Sequence, residues 1–226
     1  MTTFSTIQQA INSQACGSVC LLNIYTHLGK NKSLEQILQD LNITNNDITY
    51  LPQLARHLTN NKVKNVILSS NSYNIAPDWI GKTKKEIIEN LKSWLVFNQN
   101  DNWRQNALFL LFYLQEGGNI ETVNISTKLM DKYLNNGYLF LCCIEESWLW
   151  GKRKLAGKAE YNSIKGHARG HFVLVYGQKD NQYQISDPYP TGIDNRERLY
   201  SIQKDQLLVS ILIWQPEILA VKSYLS

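Results

Sequence analysis

Three residues far apart in the chain, Cys16, His171 and Asp187, are of the types that together activate a thiol. A cysteine attacks a carbonyl as its thiolate, so it needs a base to take its proton and an electropositive setting. An imidazole supplies the base; a carboxylate behind it fixes the tautomer and balances the imidazolium. Cys16 stands in Ala15-Cys16-Gly17-Ser18-Val19-Cys20-Leu21, and the run from Ser18 to Leu28, closed by Gly29, reads as a helix with a glycine stop. Its apolar residues lie on nearly every side (Val19, Cys20, Leu21, Leu22, Ile24, Tyr25, Leu28), which marks a buried helix. Cys16 and Gly17 then fall at a helix N-terminus, where the dipole favours a negative sulfur and free N–H groups can hold an oxyanion. Cys-Gly taken alone fits a small buried hydrophobe equally well.

His171 and Asp187 gain weight as a pair. Phe172 to Gly177 and Gln182 to Ser186 are β-rich runs separated by the polar residues Gln178 to Asn181. A hairpin centred on Lys179 sets Val175 opposite Tyr183, Val173 opposite Ile185 and His171 opposite Asp187, all on one face. Opposed Cβ atoms are ~4.5–5.5 Å apart, close enough for a carboxylate to orient an imidazole. A bulge of one residue would break that register.

Cys16-Gly17-Ser18-Val19-Cys20-Leu21 resembles the Cys-Gly-x-x-x-Leu nucleophile motif of papain-like cysteine peptidases, and within them the bacteriocin-processing (double-glycine leader) branch and its soluble relatives. Gly170-His171-Phe172-Val173 is similar to that branch's Gly-His-aromatic-Val strand, and Ile185-Ser186-Asp187-Pro188 to its Asp-Pro step. About 20 residues at each of the two places carry the resemblance. It implies Cys16 as nucleophile, His171 as general base and acid, and Asp187 as the residue that orients the imidazole. Two departures stand out. The family's oxyanion glutamine lies six residues before the cysteine, where this chain has Ala10; Gln9 and Gln14 flank the place. Where acidic or aromatic residues often precede the cysteine, this chain has Ala15. The oxyanion candidates are thus Gln9, Gln14 and the main chain at Gly17, and an inactive or repurposed domain of this fold, binding a peptide or protein, stays open as the alternative.

Length and composition suit one catalytic-size domain: 226 residues, 43% hydrophobic, enough for a substantial core. The longest apolar run, Ala107 to Leu114, is too short to span a bilayer, and the N-terminus lacks a basic stretch followed by an apolar one. Four cysteines, two of them the neighbours Cys142 and Cys143, do not make a disulfide framework, so a reducing cytoplasm is the expected setting. A net charge of +4 with no stacking motif among the charges argues against nucleic-acid binding. No glycine-rich phosphate loop is present, and no cofactor is expected.

Along the chain, capping patterns open helices at Ser33 and Thr83, the latter running to about Phe97; Asn102 to Gln115 and Ser126 to Leu134 are further helices. After Gly137 the character changes. Tyr138 to Ile144 is a buried-strand run, the 171–177 and 182–187 strands follow, and Leu207 to Trp214 with Ile218 to Val221 is expected to complete the sheet. Helices first and antiparallel strands later make an α+β fold: residues 1–136 mainly helical and carrying the nucleophile, 137–226 mainly β and carrying His171 and Asp187. By the resemblance, the fold is papain-like.

Between strand and hairpin, residues 152–169 hold six Lys/Arg against one acidic residue, Glu160. Placed just before His171, this loop can hang over the cleft as a lid that attracts an acidic partner, or be a solvated face. Gly170 and Trp148, the latter in Glu145-Glu146-Ser147-Trp148-Leu149-Trp150, are candidates for a substrate-binding rim, with buried tryptophans at a strand end as the plainer reading. His167 and His171 are four apart, but Gly170 and the start of a strand intervene, so no metal is expected. His27 and His57 sit in helices among apolar neighbours and read as structural. The combined expectation is a cysteine-dependent amide-bond hydrolase acting on a peptide or protein, first of all a peptidase. The same triad supports deamidation or acyl transfer, because those differ only in what meets the acyl-enzyme.

Overall fold

Ser33, Thr83 and Ser126 each start a helix by accepting a hydrogen bond from the main-chain N–H three residues on, at Gln36, Glu86 and Leu129. The computed structural model describes residues 4–99, 102–155 and 159–223. In chain order these form α1 (Cys16–His27), α2 (Leu34–Leu41), α3 (Leu51–Asn60), β1 (Asn65–Ser69), α4 (Lys84–Phe97), α5 (Arg104–Gln115), β2 (Ile120–Thr122), α6 (Thr127–Asn135), β3 (Tyr138–Glu145), α7 (Glu146–Trp150), β4 (Gly170–Lys179), β5 (Gln182–Ser186), β6 (Leu199–Gln203), α8 (Lys204–Leu212) and β7 (Glu217–Lys222).

The strands make one sheet in the order β2-β1-β7-β3-β4-β5-β6, antiparallel except where β2 joins β1. Alternation along the strands divides the core in two. Leu139, Leu141, Cys143, Phe172 and Leu174 pack with α1 to α5, through residues such as Leu21, Ile37, Leu54, Leu91 and Leu110. Phe140, Cys142, Ile144, Val173 and Val175 face the other way, against Met130 of α6, Leu149 and Trp150 of α7, and Leu207 and Ile211 of α8. The adjacent Cys142 and Cys143 therefore point to opposite sides of the sheet, and all four cysteines are free thiols. No helix among the described residues is long and apolar enough to cross a membrane.

The α+β class and the helices opened at Ser33, Thr83 and Ser126 match the sequence reading. The first 136 residues hold α1 to α6 and also the two short strands β1 and β2. Leu207 to Trp214 is not a strand either: most of it is α8, whose buried residues Leu207, Ser210 and Ile211 recur at helical spacing.

The β4–β5 hairpin also departs from the expected register. Its turn is the two residues Asp180 and Asn181, with φ of 50° and 60°, and Lys179 pairs with Gln182. Short Asp and Asn side chains tolerate this left-handed conformation, which a two-residue hairpin turn of this kind requires. Gly177 pairs with Gln184, yet the next pair is Val175 with Ile185, because Tyr176 forms a bulge.

Candidate active site

Cys16 opens α1, which is buried from Gly17 through Tyr25. Ala15 stands at the N-cap and offers no side-chain acceptor; Val19 N–H is bonded to Ala15 O. By helix geometry the N–H groups of Cys16, Gly17 and Ser18 have no partner inside the helix, so the uncapped end presents donors. One turn on, the buried Cys20 thiol donates to Phe172 O at 3.4 Å, tying α1 to the strand residue beside His171. Gly17 is needed for close approach: a Cβ there would collide with Thr49 Oγ1 and crowd Leu54 and the Phe172 ring.

His171 is the second residue of β4, opposite Ile144, and is 4% exposed. Its Nε2 lies 2.8 Å from Asp187 Oδ1. The Cys16 thiol, which points to Gln14 O at 3.9 Å, and the His171 ring line one cleft with Gln9, Gln14, Glu146, Lys154, Arg169, Gly170 and Tyr189. Burial would draw the imidazole's pKa down, but the charge and hydrogen bond of Asp187, with the Cys16 sulfur, outweigh it and raise it to about 10.

His171 and Asp187 are not directly opposed. Past the bulge, Leu174 pairs with Ser186, so Asp187 falls beside Val173 and reaches His171 along the diagonal. They share a face because of the bulge. Without it, the Gly177–Gln184 register would run on to place Asp187 opposite Leu174, pointing toward α1.

Asp187 is fully buried, and four donors converge on its carboxylate. Oδ1 accepts from His171 Nε2 and, at 2.9 Å, from Tyr189 N–H. Oδ2 accepts from the Trp150 indole N–H at 2.9 Å and the Tyr200 hydroxyl at 2.8 Å. Such saturation is what a buried charge requires. Trp150 also packs on the imidazole, with centroids 5.2 Å apart. Sequence reasoning missed both Trp150 and Tyr200 as supports of the site. The motif at 145–150 drew attention to Trp148 instead; that ring is 55% exposed, beside Trp214 in a neighbouring groove rather than in the cleft. Gly170 does line the cleft, with the Trp214 indole packed so closely on it that a side chain would clash.

The oxyanion candidates separate. Segment 6–14 is strapped across the site by Gln9 N–H to Pro188 O and Gln14 N–H to Asn45 O. Gln14 is exposed. Gln9 is buried in the cleft, but both bonds of its Nε2 go to Ser13, to the carbonyl at 3.0 Å and the hydroxyl at 3.3 Å. The Ser13 carbonyl can only accept, which fixes the amide's orientation. What Gln9 has left is Oε1, a buried acceptor without a partner, and an acceptor cannot stabilise an oxyanion. The N-terminus of α1, with Gly17 among its donors, and the Gln14 amide, which lines the cleft, are the candidates that keep free donors.

No family model and no curated protein matches the chain. The solved structures it is similar to include two peptidases. One is the peptidase domain of Streptococcus ComA, a bi-functional ABC transporter involved in a quorum-sensing pathway, at 13% identity and TM-score 0.48 over 97% of this chain and 99% of that one. The other is a putative C39-like peptidase from Bacillus anthracis, at 10% identity and TM-score 0.49 over 98% and 95%. At such identities the role of each residue has to rest on this chain's own geometry.

The rest of the basic loop is partly accounted for. Lys154 is spent on Glu146, Arg153 donates to Ser163 O, and Arg169 lines the cleft, while Lys158 lies outside the described residues. His167 is exposed and its main chain bridges to Lys154. His57 is buried in α3 with Nδ1 2.8 Å from the Tyr25 hydroxyl and Nε2 3.2 Å from Asp40, and burial lowers its pKa. His27 packs on Phe4.

Proposed function

We propose that the protein is a cysteine-dependent amide-bond hydrolase, working through an acyl-enzyme on a peptide or protein substrate. Cys16 gives its proton to His171, and the thiolate attacks the scissile carbonyl. The carbonyl oxygen, now an oxyanion, lies against the N–H groups that open α1, where the helix dipole adds to their pull. His171 then hands its proton to the leaving amine, the C–N bond breaks, and a thioester on Cys16 remains. Water, deprotonated by His171, cleaves that thioester and restores the thiol. Asp187 holds Nε2 throughout, leaving the other ring nitrogen for the reacting groups.

The observation that carries the reading is an imidazole held by a saturated buried carboxylate, in one cleft with a thiol at an uncapped helix N-terminus. A structural histidine has no need of the thiol, and a structural cysteine has no need of open N–H groups. The test is alkylation of Cys16 by iodoacetamide near neutral pH, in the native protein and in His171→Ala. Fast, stoichiometric modification that slows on losing the imidazole is expected. If Cys16 reacts as an ordinary thiol and His171→Ala changes nothing, a binding domain without chemistry takes the reading's place. Intact mass after incubation with a peptide library then identifies the acyl group.

A further inference from the structure

Beside the thiol and the imidazole lies an arrangement that this reaction does not use. Glu146 opens α7 directly after β3 and lines the cleft, 2% exposed. Its Oε2 meets the Lys154 ammonium at 3.4 Å, while Oε1 is buried with no hydrogen-bond partner. The same ammonium sits 3.8 Å from the centre of the Tyr189 ring and 5.3 Å from that of Trp150. The two rings stack at 29°. A carboxylate combined with two aromatic faces is a receptor for an organic cation. A carboxylate this deeply buried also requires a cation beside it.

Lys154 fills the receptor incompletely. Its contact is longer than the ~2.7–2.9 Å of a good charge-assisted bond, and half of the carboxylate still lacks a donor. Its backbone is held by isolated bridges to Tyr161 and His167 rather than by a strand ladder. Lys154 lines the same narrow cleft as Cys16, about 60 Å³ in volume. A cation that reaches the Glu146 carboxylate from that cleft takes the place of the Lys154 ammonium.

We propose that Glu146, Tyr189 and Trp150 form a subsite for a primary ammonium group of the substrate, and that Lys154 occupies it as an internal stand-in until the substrate displaces it. The group is a lysine side chain or a peptide N-terminus close to the scissile amide. The proposal builds on the reading of Cys16 and His171 as the reacting pair, but its test reads binding rather than turnover. Trp150 would then serve two purposes, walling the ammonium site while holding Asp187.

The probe is n-butylammonium chloride, with n-butanol as the uncharged control, titrated calorimetrically. The proteins are the native chain, Lys154→Ala, and Lys154→Ala combined with Glu146→Gln; Lys154→Ser serves if the alanine variant does not fold. The vacated site should bind n-butylammonium about tenfold more tightly than the native protein, a preference lost with Glu146→Gln and absent for n-butanol. Equal binding to native and vacated protein, or binding that survives Glu146→Gln, overturns the proposal. Two peptides in a Cys16→Ser, Lys154→Ala background separate the sources. An acetylated peptide carrying lysine and a free-N-terminus peptide carrying norleucine are each compared with the acetylated norleucine peptide. Tighter binding of the first identifies the side chain, of the second the N-terminus; no gain for either overturns the proposal. Slow alkylation of Cys16 alongside intact ammonium binding would sink the proposed reaction and leave the subsite standing.

Discussion

Replacing Asp187 by asparagine removes a charge while keeping a shape, and the expected loss can be worked from the contacts. Asn Oδ1 can still accept from His171 Nε2 and Tyr189 N–H, which meet the native oxygen at 2.8 and 2.9 Å. The amide nitrogen takes the place of the oxygen that now accepts from Trp150 and Tyr200. The Tyr200 hydroxyl can turn and accept; the Trp150 N–H cannot and is orphaned, at about 1–3 kcal/mol of stability. The functional loss is separate. A hydrogen bond to a charged partner contributes about 1.5–3 kcal/mol, and one pKa unit is about 1.4 kcal/mol, so the His171 pKa should fall by roughly one to two units. The constant for proton transfer from the Cys16 thiol to the imidazole falls with it, by about 10–100-fold. The assay is the rate of a single iodoacetamide adduct by intact mass, from about pH 5 to about pH 9, below the variant's melting temperature. Cys20, Cys142 and Cys143 are buried, so the adduct reports Cys16. Alkylation of Asp187→Asn at the native rate across that range would refute the view that the carboxylate sustains the pair.

Two further substitutions probe the scaffold. Gly17→Ala drives a methyl into Thr49, Leu54 and Phe172, for an expected loss of about 1–3 kcal/mol in urea melts. Adding Thr49→Ala should recover part of it, and strict additivity of the two would show that the crowding lies elsewhere. Glu217 is fully buried among Asn71 and Gln215, which donate to it at 2.7 and 3.0 Å, and burial pushes its carboxyl up to about 7. The folded state thus holds this proton more tightly than the unfolded one. Its contribution is present below about pH 4.5 and lost as pH rises through about 7, a difference of about 3 kcal/mol. Glu217→Gln should therefore raise the melting temperature above about pH 8 and leave it nearly unchanged near pH 4.5; a pH-independent shift would count against this assignment.

Local chemistry made much of this fold legible. Ser33, Thr83 and Ser126 announce their helices because a capping side chain acts within three residues, and the apolar run after Cys16 announces a buried helix. The Leu207–Trp214 run misleads because apolar residues fill the exposed side of α8 as well, at Val209 and Leu212, hiding the spacing of Leu207, Ser210 and Ile211. The short strands β1 and β2 are defined by partners far away in the chain. The same holds for the site. Cysteine, histidine and aspartate stand out by type and order, but nothing near Trp150 or Tyr200 says that their donors end on Asp187. The commitment of the Gln9 amide to Ser13 is likewise a property of a folded loop.

The Tyr176 bulge sets a rule for how this chain can vary in length. Strand faces alternate with every residue, so between His171 and Asp187 what matters is whether the count is odd or even. The turn at Asp180-Asn181 and the bulge at Tyr176 each contribute one half-step, and the two cancel. A single-residue insertion or deletion in this stretch, if strand pairing held, would turn the carboxylate to the far side of the sheet from the imidazole. A change of two residues would leave the faces matched and slide the pair only along the strand. Homologous chains that retain this histidine–carboxylate contact should therefore differ here by even numbers, or carry a second bulge that restores the count.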